Sequence, residues 1–289
     1  MIISASRRTD IPGFYADWFM NRLNEGYFIQ VNPYNQHQRP IEVSPDTVDA
    51  FVFWTKHPAP LLPHLVELDD LGYRYYFQYT LNSYPEFFEP LVPPLDQRIA
   101  TFHKLSAAIG SDKVLWRYDP IILSSATPQT YHLEQFEQIA ESLAGYTCRC
   151  TISFLDVYTK IKPKLRRIEQ EQGITITQEP SLSTRQDLVA ALNRIGFSKG
   201  ISLVSCAEPA DTLGIPPGCC ISYGLINQLF GLRLNTKKDP NQRPLCQCDQ
   251  SIDIGMYDTC GFGCTYCYAN HRKNIPIHNP LDPLLKPLT

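Results

Sequence analysis

Ser251-Ile-Asp-Ile-Gly-Met256, followed by Tyr257-Asp-Thr-Cys260-Gly-Phe-Gly-Cys264-Thr-Tyr266-Cys267, joins a strand to a set of metal ligands. Ser251 to Met256 is a short β-branched run that reads as a strand. The loop after it carries C-x3-C-x2-C, and three cysteines this close wrap a single metal centre. A cubane iron-sulfur cluster usually takes four thiolates. A compact set of three leaves one iron without a protein ligand, open to a small molecule that chelates through nitrogen and oxygen. Zinc is the alternative, since C-x2-C is common in zinc modules, but a structural zinc site is closed by four ligands. The added C-x3-C, with Gly261 and Gly263 inside it, suits a loop folding tightly over a cluster.

Working back from that strand, similar runs recur at Ile2–Ser6, Tyr27–Asn32, Ala50–Thr55, Tyr73–Leu81, Lys113–Tyr118, Arg149–Leu155 and Ile201–Ser205. Helical patterns separate most of them: Phe14 to Leu23, Leu61 to Leu71, Ile99 to Ile109, Leu133 to Leu143 and Leu188 to Ile195. The segment from Lys162 to Gln172 reads as a charged connection. Strands alternating with helices favour a parallel sheet with right-handed crossovers. Eight of them predict an α/β protein of the TIM type, a (β/α)8 barrel. The alternative, an open doubly wound sheet, would carry a glycine-rich phosphate loop after its first strand, where this chain has Ser6-Arg7-Arg8-Thr9-Asp10. The expected organisation is one barrel domain over 1–289, with a Cys-rich cluster-binding region at 206–270 and an extended Pro-rich tail at 275–289.

Of the 289 residues, 43% are hydrophobic, enough for a large core, and the formal charge of -3 gives no general attraction to nucleic acid or membrane. No apolar run approaches the ~18 residues of a membrane span. Met-Ile-Ile-Ser-Ala-Ser-Arg-Arg lacks the basic-then-apolar order of a signal peptide. Ten cysteines without an export signal predict a cytoplasmic protein that uses thiols for metal rather than for disulfides.

The cysteine triad resembles the signature of the radical S-adenosylmethionine (SAM) enzymes. The whole chain resembles a bacterial family catalogued as domain of unknown function 1848, through Ser4-Ala-Ser-Arg-Arg-Thr-Asp-Ile-Pro12, Phe53-Trp-Thr-Lys56, Trp116-Arg-Tyr-Asp-Pro120, Ser205-Cys-Ala-Glu208, Lys238-Asp-Pro-Asn-Gln-Arg243 with Cys246-Gln-Cys248, and Ser251-Ile-Asp-Ile-Gly255. The resemblance implies a 4Fe-4S cluster on Cys260, Cys264 and Cys267, SAM on its open iron, and Tyr266 packed against the adenine or shielding the cluster. It further implies a 5'-deoxyadenosyl radical acting on an unknown substrate, small-molecule or otherwise, and an electron donor such as a flavodoxin or ferredoxin. In most such enzymes the triad follows the first barrel strand; here it follows the last. In a closed barrel strand eight lies beside strand one, so the chain reads as a circularly permuted radical-SAM-like barrel. The competing readings are a zinc-stapled barrel hydrolase or isomerase and a non-catalytic iron-sulfur protein.

Cys206, Cys220, Cys246 and Cys248 supply four more thiolates, the number that completes a second 4Fe-4S cluster or a tetrahedral zinc. The family pattern has Gly-Lys-Cys where this chain has Gly218-Cys219-Cys220, which leaves Cys219 incidental. Cys148 and Cys150 read as packing. Side chains at the C-terminal ends of barrel strands form the site in this fold, which nominates Arg7, Arg8, Asp10, Arg117 and Asp119, with Lys56, Asp156 and Glu208 at similar places. Paired arginines suit a carboxylate or phosphate, because their planar donor forks bind bidentately. His57, His64, His103 and His132 read as capping or surface groups.

Overall fold

The computed structural model of the chain describes residues 1–209, 212–235, 237–270 and 278–287. In order, its elements are β1 (Ile2–Ala5), α1 (Ile11–Phe14), α2 (Ala16–Asn24), β2 (Tyr27–Val31), β3 (Gln38–Glu42), β4 (Ala50–Thr55), a 3₁₀ helix (Ala59–His64), α3 (Leu65–Asp70), β5 (Tyr75–Thr80), α4 (Leu95–Ile109), β6 (Val114–Ile121), α5 (Gln129–Leu143), β7 (Arg149–Phe154), α6 (Lys162–Gln172), α7 (Leu182–Ser198), β8 (Ser202–Ser205), α8 (Tyr223–Phe230) and β9 (Ile252–Asp253). Seven strands form one parallel sheet in the order β8-β7-β6-β5-β4-β1-β9. The fold is therefore mixed α/β, and among the described residues no ladder joins β8 to β9.

Successive side chains on a strand point to opposite faces, and both faces of this sheet are apolar, as expected for parallel strands buried on two sides. Ile3, Phe51, Phe53, Phe77, Trp116 and Ile152 face one way and pack with Phe19, Leu65, Phe102, Phe136 and Leu188 from α2, α3, α4, α5 and α7. Ile2, Ala50, Val52, Tyr76 and Leu115 face the other way and pack with Cys206, Cys220, Cys246, Cys248 and α8. The Cys-rich segment thus covers the face of the sheet that the main helices leave bare.

Seven of the eight runs expected in the sheet are there. The exception is Tyr27–Val31, which pairs antiparallel with Gln38–Glu42 as a separate hairpin. Its burial is intermittent, which suits a ribbon against α2 better than a strand covered on both faces. The supposed connection from Lys162 to Gln172 is also different. It forms α6, held by buried Leu165 and Ile168 one turn apart.

Residues 278–287 run through turns and bends along α2. Trp18 Nε1 donates to the Asp282 carbonyl, Asn21 to Pro280 and Arg22 to Leu281, while Leu285 is buried. Residues 275–277 and 288–289 of the expected tail lie outside the described residues. No helix among the described residues is long and apolar enough to cross a membrane.

Candidate metal and cofactor site

Strand β9 lies beside β1, pairing Ile3 with Ile252 and Ser4 with Asp253. Asp253 fastens the two chain segments together: its carboxylate accepts from Ser4 Oγ at 3.2 Å, Ser6 Oγ at 2.7 Å and the backbone N–H of Arg7 and of Gly255, both at 2.9 Å. A Cβ on Gly255 would stand 2.0 Å from Ser6 Oγ, so glycine is required for this approach. Beyond it the chain turns into the cysteine loop, where Gly263 takes the left-handed conformation at φ +64°.

The loop lands over the ends of β1, β4 and β5. Phe262 packs edge-on against Phe14 at 4.6 Å, and Thr265 N donates to the Phe88 carbonyl at 3.0 Å. Cys264 and Tyr266 are buried in a cluster with Phe88, Ile122, Ile161, Leu165 and Phe262. Cys267 Sγ accepts from the backbone N–H of Ala269 at 3.3 Å. Lys56, just past β4, pairs with Glu89 at 2.7 Å and lies 5.7 Å from the centre of the Tyr266 ring, while the Tyr266 hydroxyl donates to the same Glu89 oxygen.

Burial pushes the thiols of all three cysteines up, Cys260 to about 12, and the Lys56 charge partly offsets this at Cys264 and Cys267. Burial works to lower the Lys56 ammonium, but Glu89 and Cys264 outweigh it and hold its pKa above the ordinary value. The donor set fits a cluster with three thiolate ligands: three free cysteines within one loop, backbone N–H groups turned to sulfur, and a buried cation beside them. Among the described residues no group of three or more His, Cys, Asp or Glu side chains is arranged to hold a metal ion as it stands.

Arg7, Arg117 and Asp119 come together on the inner face of the sheet. The guanidinium carbons of Arg7 and Arg117 lie 5.5 and 4.9 Å from the Trp54 ring centre. Arg117 donates to Asp119 at 2.7 Å and to Cys220 Sγ at 2.6 Å; Ser153 Oγ also donates to Asp119. Burial would raise the Asp119 carboxyl, but Arg117 and the Ser153 hydroxyl hold it below the usual carboxylate range. Arg8 and Asp10 stand apart from this group. Arg8 reaches the Gly255 carbonyl at 3.4 Å and lies over Tyr257. The Asp10 carboxylate accepts from Gly13 N at 2.8 Å, capping α1, and from Lys56 N at 2.6 Å; burial raises its pKa to about 7. Glu208 pairs with Arg185, and Asp156 with Arg243 near the surface.

Two site residues escaped the sequence reading. Glu89, the buried partner of Lys56, lies in the β5–α4 connection, where no strand end marks it. Asp253 was legible only as part of a strand. His132 is also not a surface group: it is buried, with Nε2 facing the Ile122 carbonyl at 3.0 Å and Nδ1 facing the Tyr118 hydroxyl at 2.9 Å.

This end-to-end architecture spans nearly the full stretch that matches a described family, residues 2–269. The chain belongs to the family described as Domain of unknown function (DUF1848). No curated protein matches it.

Proposed function

We propose that the protein is a radical-SAM enzyme, with Cys260, Cys264 and Cys267 as the three protein ligands of a 4Fe-4S cluster. The observation that carries this reading is the gathering of three free cysteines in one loop beyond the C-terminal ends of parallel strands, with the Lys56 charge acting on Cys264 and Cys267. A cluster held by these three cysteines would supply the electron for reductive cleavage of SAM, the chemistry that radical-SAM enzymes use to abstract hydrogen from a substrate. Lys56 places positive charge beside the thiolates. Glu89 holds that ammonium and the Tyr266 hydroxyl together, so the aromatic ring stays over the loop. The apolar cluster of Phe88, Ile122 and Phe262 keeps water from it.

The pairing of β9 with β1 supports reading the sheet as a circularly permuted form of the (β/α)8 barrel. In that arrangement the last strand brings the triad to the edge of the first. The wholly free state of the ten cysteines suits a reducing, cytoplasmic setting, where a flavodoxin or ferredoxin would provide the electron.

The test is anaerobic reconstitution with iron and sulfide, followed by reduction in the presence of SAM. The expected result is brown protein that forms methionine and 5'-deoxyadenosine. Colourless protein holding zinc alone, with SAM intact, overturns the reading.

A further inference from the structure

We propose that Cys206, Cys220, Cys246 and Cys248 are the four thiolate ligands of a single structural zinc ion that fastens the Cys-rich segment to the inner face of the sheet. In this group two sulfurs are in contact, Cys220 Sγ lying 3.8 Å from Cys206 Sγ, and Cys219, Cys220 and Cys246 surround Cys248. Zinc–sulfur bonds of about 2.3 Å in a tetrahedron set the ligands about 3.8 Å apart. Four thiolates of a cubane, each on its own iron, would stand further from one another.

The surroundings complete the case. All four sulfurs are buried against Ile2, Ala50, Val52, Tyr76 and Leu115 of four strands. Four thiolates around a divalent ion carry a net charge of about -2, and two guanidiniums face them. Arg117 donates to Cys220 Sγ at 2.6 Å, and Arg7 lies within electrostatic reach of Cys248. The backbone is braced on both sides: Tyr76 Oη and Gln78 Nε2 donate to the Cys220 carbonyl at 2.8 and 2.7 Å, and Asp249 accepts from Tyr223 N and Lys237 N.

Cys219 stands outside the ligand set. Its thiol faces the carbonyls of Ile221 at 2.7 Å and Gln247 at 3.0 Å. As they stand the four ligand sulfurs are not closed into a metal shell, and Cys220 and Cys206 share a thiol contact. On zinc binding, metal–sulfur bonds replace the S–H···S contacts and the thiol protons pass to solvent. No electron transfer is involved, so this site does not depend on the SAM reading.

The experiment is metal analysis of protein in which Cys260, Cys264 and Cys267 are all replaced by Ser, purified from cells supplied with both iron and zinc. About one zinc and no iron per chain is expected. About four irons, or neither metal in a folded protein, overturns the proposal. If the triple variant fails to fold, single variants in the otherwise intact chain decide. Cys248→Ser should lose the zinc and Cys219→Ser should keep it, whereas zinc retained at full occupancy in Cys248→Ser overturns the assignment.

Discussion

The backbone N–H of Arg7 donates to Asp253 Oδ2 at 2.9 Å, across 246 residues of sequence. Asp253 accepts three further hydrogen bonds, from Ser4, Ser6 and Gly255. Asp253→Ala leaves several donors without an acceptor, at about 1–3 kcal/mol for each group stranded by the change. A loss of at least about 2 kcal/mol in urea unfolding is expected; a change within about 0.5 kcal/mol would contradict the fastening role.

Gly255→Ala should destabilise the same junction, because its methyl group would overlap Ser6. The effect is expected to be about 1–3 kcal/mol, as for other overpacked sites. Ser6→Gly removes the two nearest atoms that the methyl meets, leaving Asp253 Oδ1 at 3.3 Å. In the double variant, Gly255→Ala should therefore cost less than it does alone. Simple additivity of the two changes in denaturant unfolding would show that the close approach is not what demands glycine.

Lys56 and Glu89 form a buried pair at 2.7 Å. Removing one member of such a pair costs about 3–5 kcal/mol, because the other charge remains buried alone. Lys56→Met and Glu89→Gln should thus each be harmful, and the combined variant less harmful than their sum. Thermal unfolding of the three variants measures the coupling; a coupling of zero would mean that the pair is not formed.

Cys264→Ala should abolish SAM cleavage while the sheet remains folded, since the loop lies beyond the strands rather than within them. Far-UV circular dichroism and 5'-deoxyadenosine formation, measured on the same sample, separate the two effects. Cleavage surviving in the variant would remove Cys264 from the ligand set.

His132 gives a pH dependence with a definite sign. Its Nε2 faces a carbonyl and must carry the proton, so Nδ1 accepts from the Tyr118 hydroxyl and the neutral ring is favoured. Burial lowers its pKa from 6.5 to about 4. Between those values the unfolded chain binds a proton that the folded chain does not. Stability from this group is therefore complete above pH ~6.5 and declines as pH falls toward ~4, by up to roughly 3 kcal/mol. His132→Gln, which keeps a donor and an acceptor, should flatten the acid limb of a Tm-against-pH curve. An unchanged slope would mean that His132 is not responsible.

The sheet was largely legible because its strands are apolar on both faces. Ala50–Thr55 has the same bounds in the sequence reading and in the structure. The hairpin was not legible, since Gln38–Glu42 is polar, contains Pro40 and is mostly exposed, all features of a loop. Helix α6 was hidden by its charge, with Leu165 and Ile168 its only buried side chains. At the site, spacing revealed the triad. It could not reveal Glu89 or Asp253, whose partners lie 33 and up to 249 residues away, nor that Arg7 and Arg117 turn toward sulfur.

The place of β9 beside β1 also orders the birth of the molecule on the ribosome. Synthesis delivers β1 well before β9, so the outer hydrogen-bonding edge of β1 finds its partner only when residues 252–253 emerge. Until then the nascent sheet presents a bare edge, open to pairing with a neighbouring chain. The triad emerges later still, onto a sheet whose strands have already been made, so any metal it receives must be delivered after those strands have been translated.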